Sequence, residues 1–366
     1  MRQRKRFFLA LAGILCFGLA AHFIITDNAN AASQVIRLKF ANYFPPMSKQ
    51  SKICEEFISV LEKRTDGQVK TSYFPGGSLL KAPAMLDGVI KGIADIGLAA
   101  VVYTPNRLPV TEAVEGPMGY PSGWVACHVV NDFYNEFKPK EWDDVKVLWM
   151  HACAPNIIIC KKPIRKLEDL KGVTLRAPGR MGDTVRALGG TPRPTPMMET
   201  YDGIAKGVID GVNTPFETLK TFRFAEVVGY TTASWQVGNV QNFYVVMNKK
   251  AYEKLPADIK LIFHQVAGEF TEKFALMWNE IEFSGKEFAI EKKVELIYLT
   301  PEEEAKFKKA VEPVIGEYIK KMVGDGYPEA EVKKWIAFIR ERIDYWTKKQ
   351  IEYRITSPTG PPGMKQ

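Results

Sequence analysis

The sequence predicts an α/β fold with two lobes, parallel-rich sheets, a long bridging helix and a helical C-terminus. Its 366 residues are enough for two domains at roughly 150 residues each. Segments 87–95 (DGVIKGIAD) and 202–210 (DGIAKGVID) share five identical positions, which indicates a duplicated domain rather than a short repeat. Apolar strands alternate with amphipathic helices, and this order is typical of parallel sheets covered by helices on both faces.

The first 31 residues are typical of a secretory signal peptide. Four basic residues precede an apolar run over residues 7–25, and residues 29–31 (ANA) form a small-residue cleavage box. The alternative is a retained membrane anchor, because the apolar run is nearly long enough to span a bilayer. The cleavage box favours removal of residues 1–31 and a periplasmic mature protein.

Short strands and helices follow one another through the first part of the chain. A strand is predicted over residues 35–40, and the next helix carries Ile53, Phe57 and Leu61 at helical spacing before Gly67 ends it. In each copy of the repeat, a glycine ends a short helix just before a strand. The further predicted strands span residues 68–74, 95–100, 145–153, 156–161, 171–176 and 209–212.

The last third of the chain is predicted to be mostly helical. Apolar residues at three- and four-residue spacing predict a helix from Pro256 to about Phe283, about 40 Å long and able to cross both lobes. A strand over residues 294–299 and helices over residues 301–323 and 328–352 follow. The tail, residues 356–366, is rich in proline and glycine and is predicted to be disordered.

Composition and motifs exclude several classes of function. The net charge of +8 is spread along the chain without long runs of one sign, so no nucleic-acid partner is expected. The four histidines form no cluster with cysteine, which argues against a metal centre. An S-x-x-K match at residues 78–81 lacks its companion motifs, and the common hydrolase and nucleotide motifs do not occur. We therefore expect no enzyme, no cofactor and no metal.

The cysteines leave two alternatives open. Export to an oxidising compartment permits disulfides, and Cys153 and Cys160 flank a turn-like segment that could join adjacent strands. Buried free thiols in a large core are the other interpretation.

Several motifs occur in the order that they have in a known family. They are TDGQV (65–69), FPGGSLL (74–80), GIADIGLA (92–99), LKGVTLRAPG (170–179) and MNKKAYEKLPADIK (247–260). Over about residues 36–353 the chain resembles the DctP-type solute-binding proteins of tripartite ATP-independent periplasmic (TRAP) transporters. The resemblance implies a two-lobed fold of the periplasmic binding protein type. It implies that lobe I comprises residues 35–153 plus 243–282 and lobe II residues 154–242 plus 283–355.

The resemblance also implies where a ligand binds. In LKGVTLRAPG, Arg176 matches the arginine that pairs with the ligand carboxylate in this family. A planar guanidinium fits both carboxylate oxygens, which lysine cannot do. The other candidate ligand contacts are Asn156, Asn213, Thr214, Phe216 and Trp235 in lobe II, and Asn42 and Tyr43 in lobe I.

The implied function is capture of a small organic carboxylate for delivery to the membrane permease subunits of a TRAP transporter. Asn156 stands where some relatives have a second arginine, so we expect a monocarboxylate, aromatic ones included. We also expect that the protein binds it as a monomer and without metal. If Arg180 points into the cleft, a dicarboxylate becomes an alternative. Two other functions stay open, a binding subunit that feeds a sensor and a periplasmic enzyme.

Overall fold

The computed structural model describes residues 35–364. The predicted signal peptide, residues 1–31, lies outside the described residues. Within the described part of the chain, no helix is both long and apolar enough to cross a bilayer. The described strands form two separate sheets, one of five strands and one of six. The predicted α/β, two-sheet architecture is confirmed.

The first sheet defines lobe I and has the strand order β2-β1-β3-β10-β4. Strand β1 pairs in parallel with β2 and β3, whereas β10 is antiparallel to both of its neighbours. The strands are β1 (Ile36–Asn42), β2 (Val69–Phe74), β3 (Ile96–Ala100), β4 (Val145–Ala152) and β10 (Asn242–Asn248).

The second sheet defines lobe II and has the strand order β11-β9-β5-β8-β6-β7. The chain crosses from lobe I to lobe II after β4 and returns through β10, so each lobe receives one antiparallel strand from the crossing chain. The strands are β5 (Ile157–Cys160), β6 (Thr174–Arg176), β7 (Thr191–Arg193), β8 (Gly211–Thr214), β9 (Tyr230–Thr232) and β11 (Glu295–Ile297).

Helices cover both sheets. The helices that precede β10 in the chain are α1 (Lys49–Arg64), α2 (Met85–Ile90), α3 (Gly123–Phe137), α4 (Arg180–Ala187), α5 (Met197–Ala205) and α6 (Thr218–Thr221). The later ones are α7 (Lys249–Glu253), α8 (Ala257–Glu291), α9 (Pro301–Gly324) and α10 (Glu329–Glu352).

The internal repeat has the same hydrogen bonds in both lobes. After α2, the Asp95 carboxylate accepts from the Lys39 backbone N–H at 2.8 Å, and the Asp95 N–H donates to the Lys39 carbonyl at 2.9 Å. After α5, Asp210 makes the same pair of contacts with Thr174, both at 2.8 Å. Each aspartate therefore fixes the start of a strand, β3 or β8, beside a parallel neighbour.

Helix α8 crosses both lobes, as its predicted length requires. It has 35 residues and ends at Glu291 rather than near Phe283, so it is about 52 Å long. It packs on α1, α3 and β4 of lobe I and on α6 and β11 of lobe II. At Gly285 the helix lies so close to lobe II that an added Cβ would sit 2.3 Å from the Phe216 carbonyl oxygen.

Two predictions for the C-terminal region are wrong. Helix α10 belongs with lobe I rather than lobe II, because its apolar stripe packs on α3 and its Arg342 and Trp346 both donate to Asp132 at 2.6 Å. The tail is ordered over residues 356–364, where the Thr359 hydroxyl donates to the Pro121 carbonyl at 2.7 Å and Met364 is buried. Residues 365 and 366 lie outside the described residues.

The described cysteines are buried free thiols. Cys153 and Cys160 lie at opposite ends of the segment that enters lobe II, and Cys153 Sγ accepts from the Gln241 backbone N–H at 3.2 Å. Of the two alternatives, the structure supports unpaired thiols at Cys54, Cys127, Cys153 and Cys160.

We expect Gly285→Ala to lower the free energy of unfolding by about 1–3 kcal/mol, because the new methyl group meets rigid backbone of lobe II. The matched control is Gly268→Ala in the same helix, where nothing lies within 4 Å of an added Cβ. That variant should instead gain about 0.5–1 kcal/mol from helix propensity. Urea denaturation measures both, and a stabilised Gly285→Ala protein would contradict the close packing.

Candidate functional site

Arg176, the last residue of β6, is fully buried, and two of its three guanidinium nitrogens have no hydrogen-bond partner among the described residues. Its Nε donates to the Thr195 carbonyl at 3.0 Å, whereas Nη1 and Nη2 have no hydrogen-bond partner among the described residues. Burial lowers the pKa of this guanidinium. A buried cation with unpaired N–H groups is unfavourable, so the geometry favours an anion at these two nitrogens.

Two tyrosines of lobe I lie against this guanidinium. Tyr43 and Tyr103 are both close enough to affect the pKa of Arg176, and their ring centroids are 5.6 Å apart. Burial raises the pKa of Tyr43 well above its usual value, so its hydroxyl remains a hydrogen-bond donor at neutral pH. The Tyr103 hydroxyl accepts from the Met197 backbone N–H at 3.4 Å, which joins lobe I to the start of α5.

A small cavity of about 10 Å³, the inner cavity, takes its lining from both lobes and includes Tyr43 and Cys153, which lie close enough to affect the pKa of Arg176. Its size corresponds to about one water molecule. Because Arg176 pairs with Val212 and side chains alternate along a strand, Thr214 lies on the same sheet face as Arg176. The inner cavity is lined, among others, by Tyr43, Phe243 and Trp278 from the lobe I side, by Thr214 and Glu217 from lobe II, and by Gln241.

The lobe I wall of the inner cavity is aromatic. The rings of Phe243 and Trp278 are stacked, with centroids 5.2 Å apart, and Phe44 lies 5.4 Å from Phe243. Behind them, His151 Nδ1 accepts from the Trp278 indole N–H at 2.8 Å, which fixes the orientation of that ring. Burial lowers the pKa of His151, so it is a neutral part of the wall.

Glu217 is a buried carboxyl group at the inner cavity that the sequence did not single out. Its Oε2 has no partner among the described residues, and burial raises its pKa to about 7. Glu282 of α8 accepts from the backbone N–H groups of Phe216 at 3.1 Å and Glu217 at 3.0 Å. These contacts hold the backbone that carries Glu217.

Two larger cavities, the mouth cavities, share Pro83, Tyr103 and Pro196 in their walls. The one of about 550 Å³ contains Arg180, whose guanidinium lies 4.2 Å from the Tyr318 ring, whereas the other is about 420 Å³. Thr195, whose carbonyl accepts from Arg176 Nε, also lines the 550 Å³ cavity, so Arg176 lies next to this cavity as well. In the described part of the chain, no cluster of three metal-binding side chains occurs.

Five of the eight predicted site residues separate into two groups. Tyr43 and Thr214 line the inner cavity, and Arg176 lies on the same sheet face as Thr214. Asn156 and Asn213 line a different cavity, because alternation along β8 turns Asn213 to the face opposite Thr214.

The remaining predicted contacts have structural partners. Asn42 donates to the Ser51 and Tyr73 hydroxyl oxygens at 3.0 and 2.7 Å, which uses both of its amide hydrogens. Phe216 packs in the core of lobe II. Trp235 lines a cavity of about 260 Å³ together with Tyr298 and the C-terminal tail. The structure does not bring these three side chains to Arg176.

Sequence reasoning missed Tyr103, Glu217 and Gln241. Tyr103 follows β3 as Tyr43 follows β1, so the rule that ligands bind beyond the carboxyl ends of parallel strands could have found it. Glu217 and Gln241 stand in no motif, and only the folded structure shows that they face the inner cavity.

Comparisons with known proteins show the family to which the chain is similar. A family model described as bacterial extracellular solute-binding protein, family 7 (DctP), matches residues 40–321. A TRAP periplasmic solute-binding protein from Desulfovibrio salexigens is 32% identical, with a TM-score of 0.74 over 84% of this chain and 96% of that one. A marine metagenome TRAP solute-binding protein, specific for aromatic acid ligands, is 25% identical, with a TM-score of 0.80 over 85% and 99% of the two chains. The C4-dicarboxylate-binding periplasmic protein DctP of Vibrio cholerae is 25% identical over 84% of this chain and 95% of that protein.

The 550 Å³ mouth cavity also contains Glu115, whose pKa burial raises to about 8 while the carboxylate accepts from the Asn242 N–H at 2.9 Å. The folded state then keeps a proton that the unfolded chain loses from about pH 4.5 upward. The free energy of unfolding should therefore fall as the pH rises toward 8. Glu115→Gln keeps the acceptor and removes the titration. In urea denaturation it should gain on the order of 2–4 kcal/mol relative to the unsubstituted protein between pH 5 and pH 9. If the difference in the free energy of unfolding between Glu115→Gln and the unsubstituted protein is the same at pH 5 and pH 9, Glu115 does not have the raised pKa.

Proposed function

The chain belongs to the bacterial extracellular solute-binding proteins of family 7, the solute-binding proteins of TRAP transporters, and on that premise we propose that it captures a small organic monocarboxylate between its lobes. The family is one of transport proteins and not of enzymes. The captured acid is delivered to the membrane permease subunits. The protein acts as a periplasmic monomer after loss of residues 1–31, and it needs no metal.

The observation that carries this proposal is that the two Nη nitrogens of Arg176 have no hydrogen-bond partner among the described residues. Nη1 and Nη2 are buried and lack acceptors among the described residues, and both belong to one planar group. A carboxylate supplies two oxygens at matching spacing and cancels the buried charge. An uncharged ligand would satisfy the hydrogen bonds but leave the charge unpaired.

A single carboxylate and an apolar body suit the lining of the inner cavity best, and the lobes must separate to admit them, because the cavity holds about one water molecule. Apart from the neighbouring Arg176, no lysine or arginine lies in this lining, so a second buried carboxylate would lack a counter-charge there. The Phe243 and Trp278 rings support a flat or aromatic body. The metagenome relative is described as specific for aromatic acid ligands, which agrees, whereas the Vibrio cholerae relative is named for C4-dicarboxylates. A dicarboxylate would have to reach Arg180 in the 550 Å³ mouth cavity.

We expect Arg176→Lys to weaken carboxylate binding by about 1.5–3 kcal/mol, roughly 10- to 100-fold in Kd, because lysine cannot form the paired contact. The test uses calorimetry with the tightest acid from a panel of aromatic and aliphatic monocarboxylates. Arg186→Lys is the control, since Arg186 is exposed and pairs with Asp183 on the protein surface. Equal affinities for the two variants would remove Arg176 from the site.

Because the inner cavity takes its walls from both lobes, ligand contacts should favour the closed arrangement. Small-angle scattering of the same panel acid at saturation should therefore give a smaller radius of gyration than scattering without it. The Arg176→Lys protein, at a concentration of acid that leaves it unbound, should show no contraction. Superimposable curves for the saturated and acid-free protein would contradict closure.

A further inference from the structure

Glu217 lines the inner cavity together with Tyr43, and its role is not explained by carboxylate binding. Resting on the function proposed above, we propose that Glu217 is a second recognition residue that accepts a hydrogen bond from the ligand. The ligand is then a carboxylate that also carries a hydrogen-bond donor, either a hydroxyl or an ammonium group.

The first support is the unused acceptor. Glu217 is only 3% exposed, it lines the inner cavity, and its Oε2 has no hydrogen-bond partner among the described residues. An ionised carboxylate can only accept hydrogen bonds, and leaving such an oxygen buried and unpaired is costly. A ligand group that donates to this oxygen removes that cost.

The second support is the position of Tyr43. The nearby Arg176 lowers the pKa of the Tyr43 hydroxyl and the nearby Glu217 raises it, so both groups lie within electrostatic reach of that hydroxyl. Among the described residues, the two Nη atoms of Arg176 and Oε2 of Glu217 have no hydrogen-bond partner, so they are not bonded to each other. A molecule whose carboxylate binds Arg176 can therefore pass Tyr43 and present its donor to Glu217.

The third support is the rigidity of the backbone that carries Glu217. Both Glu282 oxygens accept backbone N–H groups at the start of α6, and Gly285 of α8 contacts the same segment at backbone distance. A recognition residue needs such fixed support to discriminate between ligands. Helix α8 therefore holds Glu217 in place without occupying its free oxygen.

The groups that face Glu217 include no cation among the described residues. They are Glu282 on α8, Gln50 on α1, Thr221 on α6, Tyr43 after β1 and Cys153 after β4. Gln50 is fully buried and lies close enough to lower the pKa of Glu217, but neither end of its amide has a hydrogen bond of normal geometry. A ligand ammonium would supply the missing positive charge, and a hydroxyl would supply a neutral donor.

The pH dependence distinguishes these two donors. Burial brings the pKa of Glu217 to about 7. An ammonium requires the ionised carboxylate, so the affinity for an amino acid should rise between pH 6 and pH 8. A hydroxyl can bond to either form, so the affinity for a hydroxy acid should show no such rise.

The experiment compares three sets of acids by calorimetry at pH 6 and pH 8. Each set contains a parent acid, its hydroxy form and its amino form: phenylacetate, mandelate and phenylglycine; benzoate, 3-hydroxybenzoate and 3-(aminomethyl)benzoate; propionate, lactate and alanine. In at least one set, a donor-bearing acid should bind roughly 10-fold or more tightly than its parent. Glu217→Leu should abolish that preference, so that the affinities for the donor-bearing acid and its parent differ less than twofold.

Two variants serve as controls. Glu217→Gln keeps an acceptor oxygen but not the charge, so it should retain a hydroxyl preference and lose an ammonium preference. It also keeps the test valid if Glu217→Leu is poorly folded. Arg176→Lys should weaken all members of a set together.

The outcomes separate this inference from the function on which it rests. Parents that bind as tightly as their donor-bearing forms would overturn the role of Glu217 alone. Equal losses for parent and donor-bearing acids in Glu217→Leu would assign Glu217 to a structural contact with Gln50. Failure of all nine acids to bind, while uncharged amides such as benzamide bind, would overturn both the monocarboxylate function and this inference. Failure of every compound to bind would count against both in the same way.

Discussion

A cation buried between two lobes without a counter-charge is the constraint around which the cleft is organised. Arg176 is completely buried, and only its Nε has a partner among the described residues. Removing a guanidinium from water disfavours the closed arrangement unless acceptors replace the lost hydration. If a carboxylate provides those acceptors, ligand binding and lobe closure stabilise each other. One interaction then explains both affinity and conformational change.

The fold supplies the rigid parts that this arrangement needs. Strand β6 lies between β7 and β8, so the backbone of Arg176 is held on both sides. The crossing strands and α8 join the lobes, and α8 touches lobe II backbone at Gly285. Helix α10 returns to lobe I, where Asp132 anchors it. The connections therefore bind each lobe firmly to the shared helix and leave the cleft as the place where the lobes meet.

Local sequence patterns predicted most of the helices and strands. The spacing of apolar residues within an element and the internal repeat can both be recognised from residues that are close together in the sequence. Helix α8 was predicted too short, since its buried residues beyond Phe283 are the small Gly285 and Ala289, which extend the apolar stripe only weakly in the sequence. The tail was mispredicted because its partner, Pro121, is distant in sequence. For the site, Arg176 came from a motif, whereas the choice between Asn213 and Thr214 depends on strand register, which the sequence did not give.

Burial alone does not identify a recognition residue, as the buried carboxyl groups show. Burial raises the pKa values of Glu115, Glu217 and Glu282, but Glu115 and Glu282 both accept backbone N–H groups and so complete the fold. Arg180 also has unpartnered nitrogens, but its guanidinium lies 4.2 Å from the Tyr318 ring, a contact that offsets part of the cost of burying the charge. Glu217 differs from all of these, because the inner cavity that it lines holds about one water molecule, and Arg176 lies next to Tyr43 of the same lining. A buried guanidinium and a buried carboxyl group that both lack hydrogen-bond partners can be satisfied together by one molecule that carries an acceptor and a donor. This requirement connects the fold to the choice of ligand.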